Sequence, residues 1–386
     1  MKRLIELYDE RPIENVLATE MFRPEETVLV CPREKAADTA WRQALARYFE
    51  HRGCPTRLRF VSASLLDALN IRRTIRELIR EEPDCAIDIS GGTDAALFAA
   101  GAAAGSRTPV FTYSRKRNTF YEIQHAPYAR SAPCTVRLDA RSCFLMAGGE
   151  LLPGREDNSR LRARLSDIGA LYEAYSAFRT VWARQAQYFQ HISRADDPSL
   201  GAGGPRSVRV DHGVASCDET LLRFLSDKGL IVGLELREDS VSFRFADDLA
   251  RFWLRDVGAA LELHVYKTCL ETGVFDDVVL SAVVNWRSQD PLGDTVTNEI
   301  DVMAVRGVQP LFISCKTGEI RTEALNELAI LRDRFGGEGS RAMIVTSSVS
   351  ARSRSPMRKR AAELGIEVVD WNDLKDGRLA ARVAGK

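Results

Sequence analysis

The sequence predicts an α/β protein that is built from more than one domain. In its first part, four strand patterns alternate with helical patterns; these are TVLVC (27–31), TRLRFV (56–61), CAIDIS (85–90) and PVFTYS (109–114). Such alternation favours a parallel sheet with helices packed on its faces. A chain of 386 residues is also too long for one ordinary hydrophobic core.

Helical periodicity fills the gaps between these strands. The segments with this pattern are Lys35 to His51, Ser64 to Glu82 and Ala95 to Ala104. The resulting order is that of an α/β layer with a parallel sheet, which we assign to residues 1–155.

The pattern changes from about Asp157, where a middle region begins. Ser166 to His191 predicts one long helix, and DDPSLGAGGPRS (196–207) predicts a linker or loop. Asp218 to Gly229 then predicts a helix, and LIVGLEL and VSFRF predict a hairpin after it. A helix followed by a hairpin is typical of a winged-helix fragment, so we interpret residues 156–245 as a helical, winged-helix-like connector.

The remaining residues, 246–386, form the third predicted domain. Their patterns, in order, are a helix from Asp247 to Glu271, the strands VVLSAVVNW (278–286), NEIDVMAV (298–305) and PLFISCKTG (310–318), a helix from Glu323 to Phe335, the strand RAMIVTS (341–347), a basic helix (351–360) and the strand IEVVDW (366–371). This α-β-β-β-α-β-α-β order again indicates a sheet covered by helices.

Composition limits the class of protein. The chain has 54 basic and 54 acidic side chains, so any contact with nucleic acid depends on local basic patches. Its eight cysteines form no CxxC pair, which favours buried thiols in a reducing cytoplasm over disulfides or a zinc site. We expect no signal peptide, no membrane span and a cytoplasmic location.

The segment NEIDVMAVRGVQPLFISCKTG carries the candidate catalytic residues. Strand alternation places Ser314 and Lys316 on one face of the second strand, and hairpin pairing can bring Asp301 beside Lys316. Carboxylates suit Mg²⁺ or Mn²⁺, and a nearby lysine can orient water or stabilise developing charge. The alternative interpretation is an ordinary cross-strand ion pair between Asp301 and Lys316.

Glu262 adds a carboxylate upstream of this hairpin. In RDVGAALELHVYKTC its helical neighbours include Gly258, Val265 and Tyr266, which are small or apolar. A carboxylate in such surroundings is costly unless it is paired or binds a metal. Glu262 is therefore a candidate metal ligand.

The order of these residues resembles the PD-(D/E)xK, or restriction-endonuclease-like, superfamily. The resemblance implies that Glu262 and Asp301 bind Mn²⁺ or Mg²⁺ and that Lys316 is the catalytic lysine. Ser314 stands where the second acid is usual. Glu299, Glu262 or the backbone carbonyl of Cys315 would then complete the metal site.

A second informative segment is DISGGTDAALFAAGAAA. Here a strand ends in Ser90, Gly91, Gly92 and Thr93 and runs into a helix, which presents backbone N–H groups suited to phosphate. The position also lies at the carboxyl end of a parallel strand, where open α/β sheets bind ligands. The alternative interpretation is a tight turn with a Ser or Thr helix cap.

Together the two halves resemble the CARF (CRISPR-associated Rossmann fold) nucleases. The resemblance implies that the Gly-Gly-Thr turn contacts a cyclic oligoadenylate, expected to be cyclic tetra-adenylate, bound across a homodimer. Asp94 stands where many members carry lysine, so we expect it to face away from phosphates or to contact ribose or base. The further ligand-binding candidates follow other strand ends and are Pro32, Arg33, Glu34, Ser114, Arg115 and Lys116.

The function that this resemblance implies is a metal-dependent nuclease of type III CRISPR antiviral defence. Ligand binding would switch it on, and it would cleave single-stranded DNA or RNA, or nick DNA. One alternative is a ligand-binding transcriptional regulator that has a degenerate nuclease domain and reads DNA through the winged-helix-like element. Another is a constitutive repair nuclease whose N-terminal half only dimerises.

Overall fold

Two large sheets organise the chain in the computed structural model, which describes residues 1–152, 158–210, 213–286, 296–337, 339–349 and 356–385. One sheet has seven strands and lies in the N-terminal region, and the other has six and lies mainly in the C-terminal region. Helices cover both sheets, so the predicted α/β class is confirmed. Within the described residues, no helix combines the length and the hydropathy that a membrane crossing requires.

The N-terminal sheet has the strand order β3-β2-β1-β4-β5-β6-β7. Its strands are β1 (Arg3–Leu7), β2 (Glu26–Cys31), β3 (Arg57–Ser62), β4 (Cys85–Asp88), β5 (Val110–Ser114), β6 (Thr119–Gln124) and β7 (Ala132–Pro133). The first five strands of this order run parallel, while β6 and β7 are antiparallel. Its helices are α1 (Leu17–Phe22), α2 (Arg33–Ala37), α3 (Thr39–His51), α4 (Ala68–Glu81) and α5 (Asp94–Ala103).

The sequence analysis assigned no element to β1, the middle one of the five parallel strands. Its apolar residues are interrupted by Arg3 and Glu6, both of which are buried. Arg3 Nε donates to Glu26 Oε2 at 2.6 Å, and Glu6 Oε1 accepts from the hydroxyl of Thr19 at 2.9 Å. Partners distant in sequence therefore compensate the burial of these two polar side chains, and the local sequence pattern cannot show these partners.

The middle region departs from prediction in two places. Instead of one long helix, α8 (Leu165–Ala177) and α9 (Arg179–Ile192) meet at Phe178, whose backbone leaves the helical region. The predicted linker contains a strand, β9 (Gly201–Pro205), that pairs with the second strand of the hairpin. A one-residue break keeps the helical period in phase, and a glycine-rich strand lacks apolar alternation, so neither feature is visible in the pattern.

The predicted helix and hairpin of the connector are present. The elements of this region are α7 (Asn158–Arg162), β10 (Ser207–Val210), β11 (Gly213–Ser216), α10 (Glu219–Asp227), β12 (Ile231–Leu236) and β13 (Ser240–Phe245). Asp218 caps α10 by accepting from the backbone N–H of Leu221, and β12, β13 and β9 form a three-stranded antiparallel sheet. The helix and wing are thus packed as one unit.

The C-terminal sheet has the order β18-β17-β16-β15-β14-β8. Its strands are β8 (Glu150–Leu151), β14 (Asp277–Asn285), β15 (Thr297–Arg306), β16 (Gln309–Lys316), β17 (Arg341–Thr346) and β18 (Ile366–Val369). The helices are α6 (Ala140–Met146), α11 (Asp248–Arg255), α12 (Ala259–Glu271), α13 (Thr322–Phe335), α14 (Pro356–Glu363), α15 (Trp371–Lys375) and α16 (Leu379–Val383). Of the basic helix predicted over 351–360, residues 351–355 lie outside the described residues.

The single helix predicted from Asp247 to Glu271 was wrong, because α11 and α12 are separate. The Asp256 carboxylate accepts from the backbone N–H groups of Gly258 and Ala259 at 2.7 and 3.2 Å. This side chain takes the hydrogen bonds that a continuous helix would make and starts α12 afresh. The position of Glu262, in the first turn of α12, follows from this break.

The two large sheets share one hydrophobic core through α6. A single apolar cluster includes residues of β2, α3, α6, β15 and α13. At its centre the rings of Phe144 and Phe335 meet edge to face with centroids 5.1 Å apart. The N-terminal and C-terminal regions are therefore packed against each other directly.

Candidate active site and candidate ligand site

The strand that carries Asp301 changes face at this residue. β14 and β15 pair at Leu280–Val302 and at Ala282–Ile300, and no ladder pair joins the intervening Ser281 and Asp301. Leu280 and Val302 pack in one core cluster, whereas Ala282 and Ile300 pack in the other. Simple alternation would put all four on one face, so both strands twist at this point.

Ser281 adopts a left-handed backbone, with φ of 50°, at the centre of this twist. Such a conformation is costly for a residue with a Cβ and is often retained near functional sites. It lies opposite Asp301 on the neighbouring strand. The backbone distortion thereby takes Asp301 out of the regular ladder.

The Asp301 carboxylate is held by the last residues of the neighbouring strand, β16. Pairing of β15 with β16 stops at Val302–Ile313. Beyond that point Asp301 Oδ2 accepts from the backbone N–H of Cys315 at 2.5 Å and from the Ser314 hydroxyl at 3.2 Å. Lys316 Nζ lies 3.5 Å from the same oxygen. The sequence-predicted Asp301, Ser314 and Lys316 are thus brought together.

Glu262 joins this group from α12. Burial is the main cause that raises the pKa of Glu262 to about 8, and the carboxylates of Asp301, Asp256 and Glu299 raise it further, while Lys316 opposes the shift. A Cβ on Gly258 would lie 2.7 Å from Glu262 Oε1, so the glycine leaves room for this carboxylate. Negative charge is therefore concentrated at one point, where a cation would relieve it.

The oxygen donors at this site suit a hard divalent cation. Glu262 and Asp301 supply carboxylates, which Mg²⁺ and Mn²⁺ prefer. Among the described residues no set of three His, Cys, Asp or Glu side chains stands close enough to form a complete cage. Two carboxylates fit a metal that keeps water and substrate oxygens as its other ligands.

The positions of Cys315 and Ser314 limit what each can contribute to the candidate metal site. The Cys315 side chain is buried in the apolar cluster on the α12 side, and burial raises the pKa of its thiol well above the usual value. Any contribution of Cys315 to a metal would come from its backbone, as the sequence analysis proposed. The Ser314 hydroxyl donates to Asp301, so it supports a candidate ligand.

Sequence reasoning missed three contributors to this site, Ser281, Gly258 and the Cys315 N–H. A serine inside the apolar run VVLSAVVNW was the only signal for the twist. Gly258 was noticed only as a small helical neighbour of Glu262. The Cys315 N–H carries no sequence signal, because every residue except proline has that donor.

The predicted ligand loops lie together at one edge of the N-terminal sheet. They follow the carboxyl ends of β2, β4 and β5, which run parallel with β1 between β2 and β4. Strand order reverses between β1 and β4, which is the switch point where open α/β sheets bind ligands. The topology therefore supports a ligand site at this edge.

The Gly-Gly-Thr turn makes hydrogen bonds with other residues of the protein. Gly92 has φ of +112°, and its N–H donates to Asp9 Oδ2 at 2.8 Å. Gly91 packs so closely that a Cβ there would lie 2.9 Å from the Cβ of Asp9. Thr93 caps α5 and its hydroxyl donates to the Leu65 carbonyl at 2.6 Å. The Ser90 hydroxyl donates to Asp88 and accepts from the Tyr113 N–H.

Asp9 is the functional candidate that the sequence analysis missed at this edge. It lies two residues after the end of β1, and its carboxylate accepts from Arg11 Nε and Nη2, both at 2.8 Å. Glu14, in the same loop, pairs with Arg115 at 2.9 Å. Acidic side chains of the loop after β1 thus already contact the turn and one of the predicted cationic residues.

The other predicted ligand residues are more open. Arg33, Glu34, Asp94 and Lys116 are exposed. Pro32 precedes α2 as its N-cap, and Ser114 ends β5. These six candidates and those of the turn share one sheet edge, and their contacts with a ligand stay a prediction.

Comparison with known families identifies the C-terminal domain. Residues 247–382 match the family described as "Card1-like, endonuclease domain". The domain that contains Glu262, Asp301 and Lys316 is therefore similar to Card1-like endonuclease domains. No curated protein sequence matches the chain.

Solved structures resemble the chain over nearly its whole length. The protein VC1899 from Vibrio cholerae superposes with a TM-score of 0.75 at 19% identity, covering 99% of this chain and 96% of that one. Can2 from Sulfobacillus thermosulfidooxidans, solved with cyclic tetra-adenylate, gives 0.67 at 16% identity and 96% coverage of both chains.

A third structure, of a type III CRISPR defence DNA nuclease activated by cyclic oligoadenylate, gives a TM-score of 0.51 at 14% identity. It covers 92% of this chain and 47% of the other. At these identities the likeness shows the fold. Together with the endonuclease match, it confirms the resemblance to CARF nucleases that the sequence predicted.

Proposed function

We propose that this protein is a metal-dependent endonuclease that a cyclic oligoadenylate activates, and that it cleaves single-stranded DNA or RNA or nicks DNA. The observation that carries the proposal is the convergence of Glu262, Asp301 and Lys316 in a domain matched to endonucleases. A role in cytoplasmic, CRISPR-linked antiviral defence is part of the same proposal.

The chain's own residues have distinct tasks in phosphodiester hydrolysis. Glu262 and Asp301 would hold a divalent cation, which would supply charge neutralisation at the phosphate and a lower pKa for the attacking water. Lys316, whose side chain is 38% exposed, can reach a phosphate oxygen or orient that water. Asp301 is fixed in place by the Cys315 N–H and the Ser314 hydroxyl.

The fixed orientation of the Asp301 carboxylate distinguishes this site from an ordinary cross-strand ion pair, which does not require it. Lys316 Nζ lies 3.5 Å from Asp301 Oδ2, and two closer donors, the Cys315 N–H and the Ser314 hydroxyl, already hold the same oxygen. A carboxylate so oriented keeps its other oxygen directed away from these donors. The arrangement favours metal binding over simple strand stabilisation.

Support for the ligand comes from the similar fold of Can2, which binds cyclic tetra-adenylate in its solved structure. In this chain the sheet edge at the switch point supplies the Gly-Gly turn and the exposed Lys116 and Arg33. Phosphate binding at the turn would have to replace the Asp9 carboxylate on the Gly92 N–H. Ligand affinity would therefore be coupled to a rearrangement of the loop after β1.

A homodimer is the proposed active assembly. Three apolar side chains on the adjoining helices α4 and α5 and the preceding loop are largely exposed, namely Leu66 (84%), Leu69 (69%) and Phe98 (76%). They lie beside the Gly-Gly-Thr turn, because Thr93 contacts the Leu65 carbonyl. A second copy that covers them would place two ligand sites next to each other.

The test is a cleavage assay with labelled single-stranded DNA, single-stranded RNA and supercoiled plasmid, in Mn²⁺ or in chelator, with and without cyclic tetra-adenylate. Wild type should cleave only with metal and ligand together. Lys316→Ala should lose at least about 10²-fold in rate, as expected when a charge-stabilising group is removed. Lys267→Ala, a matched change whose lysine pairs with Glu271, should cleave like wild type.

Two other outcomes of this assay would favour a different function. Cleavage that does not depend on the nucleotide would favour a constitutive nuclease. Ligand-dependent binding to duplex DNA with no cleavage under any condition would favour the regulator.

A further inference from the structure

A cavity of about 400 Å³ opens outside the carboxyl end of β1, between the N-terminal sheet and the C-terminal domain. Its size falls within the range of about 300–1,000 Å³ that is common for small-molecule sites. Its walls include Tyr8, Glu10, Lys35, Asp38, Trp41 and Arg334. The first five belong to the N-terminal region, and Arg334 belongs to α13 of the endonuclease domain.

The cavity adjoins the switch point of the sheet. Tyr8 and Asp9 follow β1, and Asp9 lines the cavity while its Oδ2 accepts from the Gly92 N–H. Asp9 therefore separates the cavity from the Gly-Gly turn. A molecule bound at that turn has this cavity as its neighbouring space.

The aromatic wall of the cavity suits a planar group. The rings of Tyr8 and Trp41 meet edge to face with centroids 5.5 Å apart. Lys35 Nζ lies 5.8 Å from the Tyr8 ring and 5.9 Å from the Trp41 ring. Trp41 is 9% exposed and fixes the half-buried Tyr8, whose exposed part offers apolar surface with little loss of conformational entropy on binding.

The charge in the cavity favours a base over a phosphate. Carboxylates of Asp9, Glu10 and Asp38 outnumber the cations of Lys35 and Arg334. Asp9 and Asp38 also hold internal contacts, with Arg11 and with the Trp41 N–H. Carboxylates accept N–H donors of an amino-bearing heterocycle, whereas they repel an anionic phosphate.

Arg334 connects the cavity to the candidate active site. It lies near the end of α13, and earlier in the same helix Glu327 accepts from the Asn298 side chain at 2.5 Å. Asn298 is on β15, three residues before Asp301. A group in the cavity would thus touch a helix that is bonded to the strand that carries Asp301.

We propose that this cavity is a binding site for an amino-bearing nucleobase, and that Arg334 lets the endonuclease domain contact the bound nucleotide within one protomer. The identification of that base as an adenine of the activator rests on the proposed function. Base binding itself does not, and it can be tested separately.

The first experiment uses the full chain labelled with fluorotryptophan and followed by fluorine NMR. The chain has five tryptophans, and Trp41→Phe assigns the Trp41 signal. Adenosine at millimolar concentration should shift that signal, and uridine, which lacks an exocyclic amine, should not. No shift with adenosine, or equal shifts with both nucleosides, would overturn the proposal.

The second experiment separates binding from coupling. Arg334→Gln should bind cyclic tetra-adenylate several-fold more weakly by calorimetry, and at saturating ligand it should still lose at least tenfold of the stimulated cleavage rate. Arg194→Gln removes the same charge at a side chain that is 81% exposed and pairs with Asp196, and should leave both quantities unchanged. Full stimulation in Arg334→Gln would refute the coupling role.

The two experiments also distinguish this proposal from the proposed function. If adenosine shifts Trp41 but cyclic tetra-adenylate neither binds nor stimulates cleavage, the base site stands and the activation proposal fails. If cyclic tetra-adenylate stimulates cleavage and leaves the Trp41 signal in place, the activation proposal stands and the base site fails.

Discussion

Asp301 accepts a hydrogen bond from the backbone N–H of Cys315 at 2.5 Å, at the point where the ladder between their strands has ended. This bond closes the gap between β15 and β16 with a side chain in place of a backbone carbonyl. The carboxylate is thereby fixed beside Lys316 and within electrostatic reach of Glu262. The position of the candidate metal-binding carboxylate follows from this hydrogen bond, in which a side chain takes the place of a backbone carbonyl.

Ser314→Asp would supply the acid that the PD-(D/E)xK pattern usually has at this position. Two adjacent carboxylates repel each other, so we expect a lower Tm than wild type in chelator and a larger rise of Tm on adding Mn²⁺. Thermal unfolding with and without Mn²⁺ measures both effects. Ser314→Asn, which has a similar shape without charge, should show no larger metal response than wild type. An equal metal response in the Asp and Asn variants would contradict a metal site here.

Gly258→Ala would place a Cβ 2.7 Å from Glu262 Oε1. The Glu262 side chain must then turn aside, so we expect several-fold weaker Mn²⁺ activation, measured as the metal concentration that gives half-maximal cleavage. Stability should change little, because alanine suits the start of a helix and the clash is with the end of a flexible side chain. Gly169→Ala, whose Cβ would meet Lys267 at 3.6 Å, is the matched control and should leave metal activation unchanged.

Ser281→Val tests the left-handed backbone opposite Asp301. A β-branched side chain at φ of 50° should lower the free energy of unfolding by roughly 1–3 kcal/mol relative to Ser281→Ala. Ser281→Gly relieves the same strain and should be at least as stable as the alanine variant. Urea unfolding followed by circular dichroism measures these differences. Equal stability of the Val and Ala variants would mean that the strand relaxes to a regular ladder.

Phe98→Glu tests the proposed dimer surface on α4 and α5. A charge at the centre of an apolar interface should shift the protein from dimer to monomer, measured by light scattering after size exclusion. It should also reduce ligand-stimulated cleavage. Ile123→Glu changes a residue of β6 that is 57% exposed and should leave the dimer intact. A dimer that persists in Phe98→Glu would exclude this surface.

Glu6 makes stability depend on pH. Burial, and then the nearby Asp88 and Glu14 carboxylates, raise the pKa of Glu6 to about 8, while Thr19 hydrogen bonds act in the opposite direction. Burial likewise raises the pKa of Asp88 to about 7. The folded protein therefore retains protons that the unfolded chain releases near pH 4 to 5. This contribution is fully present below that range and is lost as the pH rises through 7 and 8.

Glu6→Gln should remove much of this pH dependence. We expect it to raise the free energy of unfolding at pH 8.5 by an amount on the order of a few kcal/mol and to change it little at pH 5. Denaturant unfolding across pH 5 to 8.5 measures the effect. Glu77→Gln, an exposed change on α4, should keep the wild-type slope. A wild-type slope in Glu6→Gln would show that Glu6 stays ionised in the folded protein.

Three of the candidate catalytic residues could be predicted because they lie close together in the sequence, on two consecutive strands that a short turn joins. NEIDV and LFISCK each alternate faces, and a short RGVQ turn fixes which residues can meet, so Asp301, Ser314 and Lys316 were placed together correctly. Glu262 was found from the cost of a carboxylate on a small, apolar helix face. Their catalytic and metal-binding roles remain predictions.

The ligand edge shows where prediction from sequence ends. The turn of Gly91 and Gly92 was found from its residues, but Asp9, its internal partner, is 83 residues away from Gly92. Likewise Arg115 was noticed as part of a basic loop, whereas its partner Glu14 is 101 residues away. Contacts between distant segments depend on strand order, which local patterns do not contain.

The sequence by itself determined the α/β class, most of the strands and helices, the nuclease-like arrangement of the C-terminal hairpin and the glycine turn after β4. These features arise from periodicity, turn chemistry and burial cost, all of which act over a few neighbouring residues. Only the tertiary structure decided that β1 lies in the middle of the five parallel strands, that Ser281 and Asp301 leave their ladder, and that Arg334 lines the cavity beside Asp9. These relationships arise from packing between segments far apart in the chain, where burial and pairing outweigh local preference.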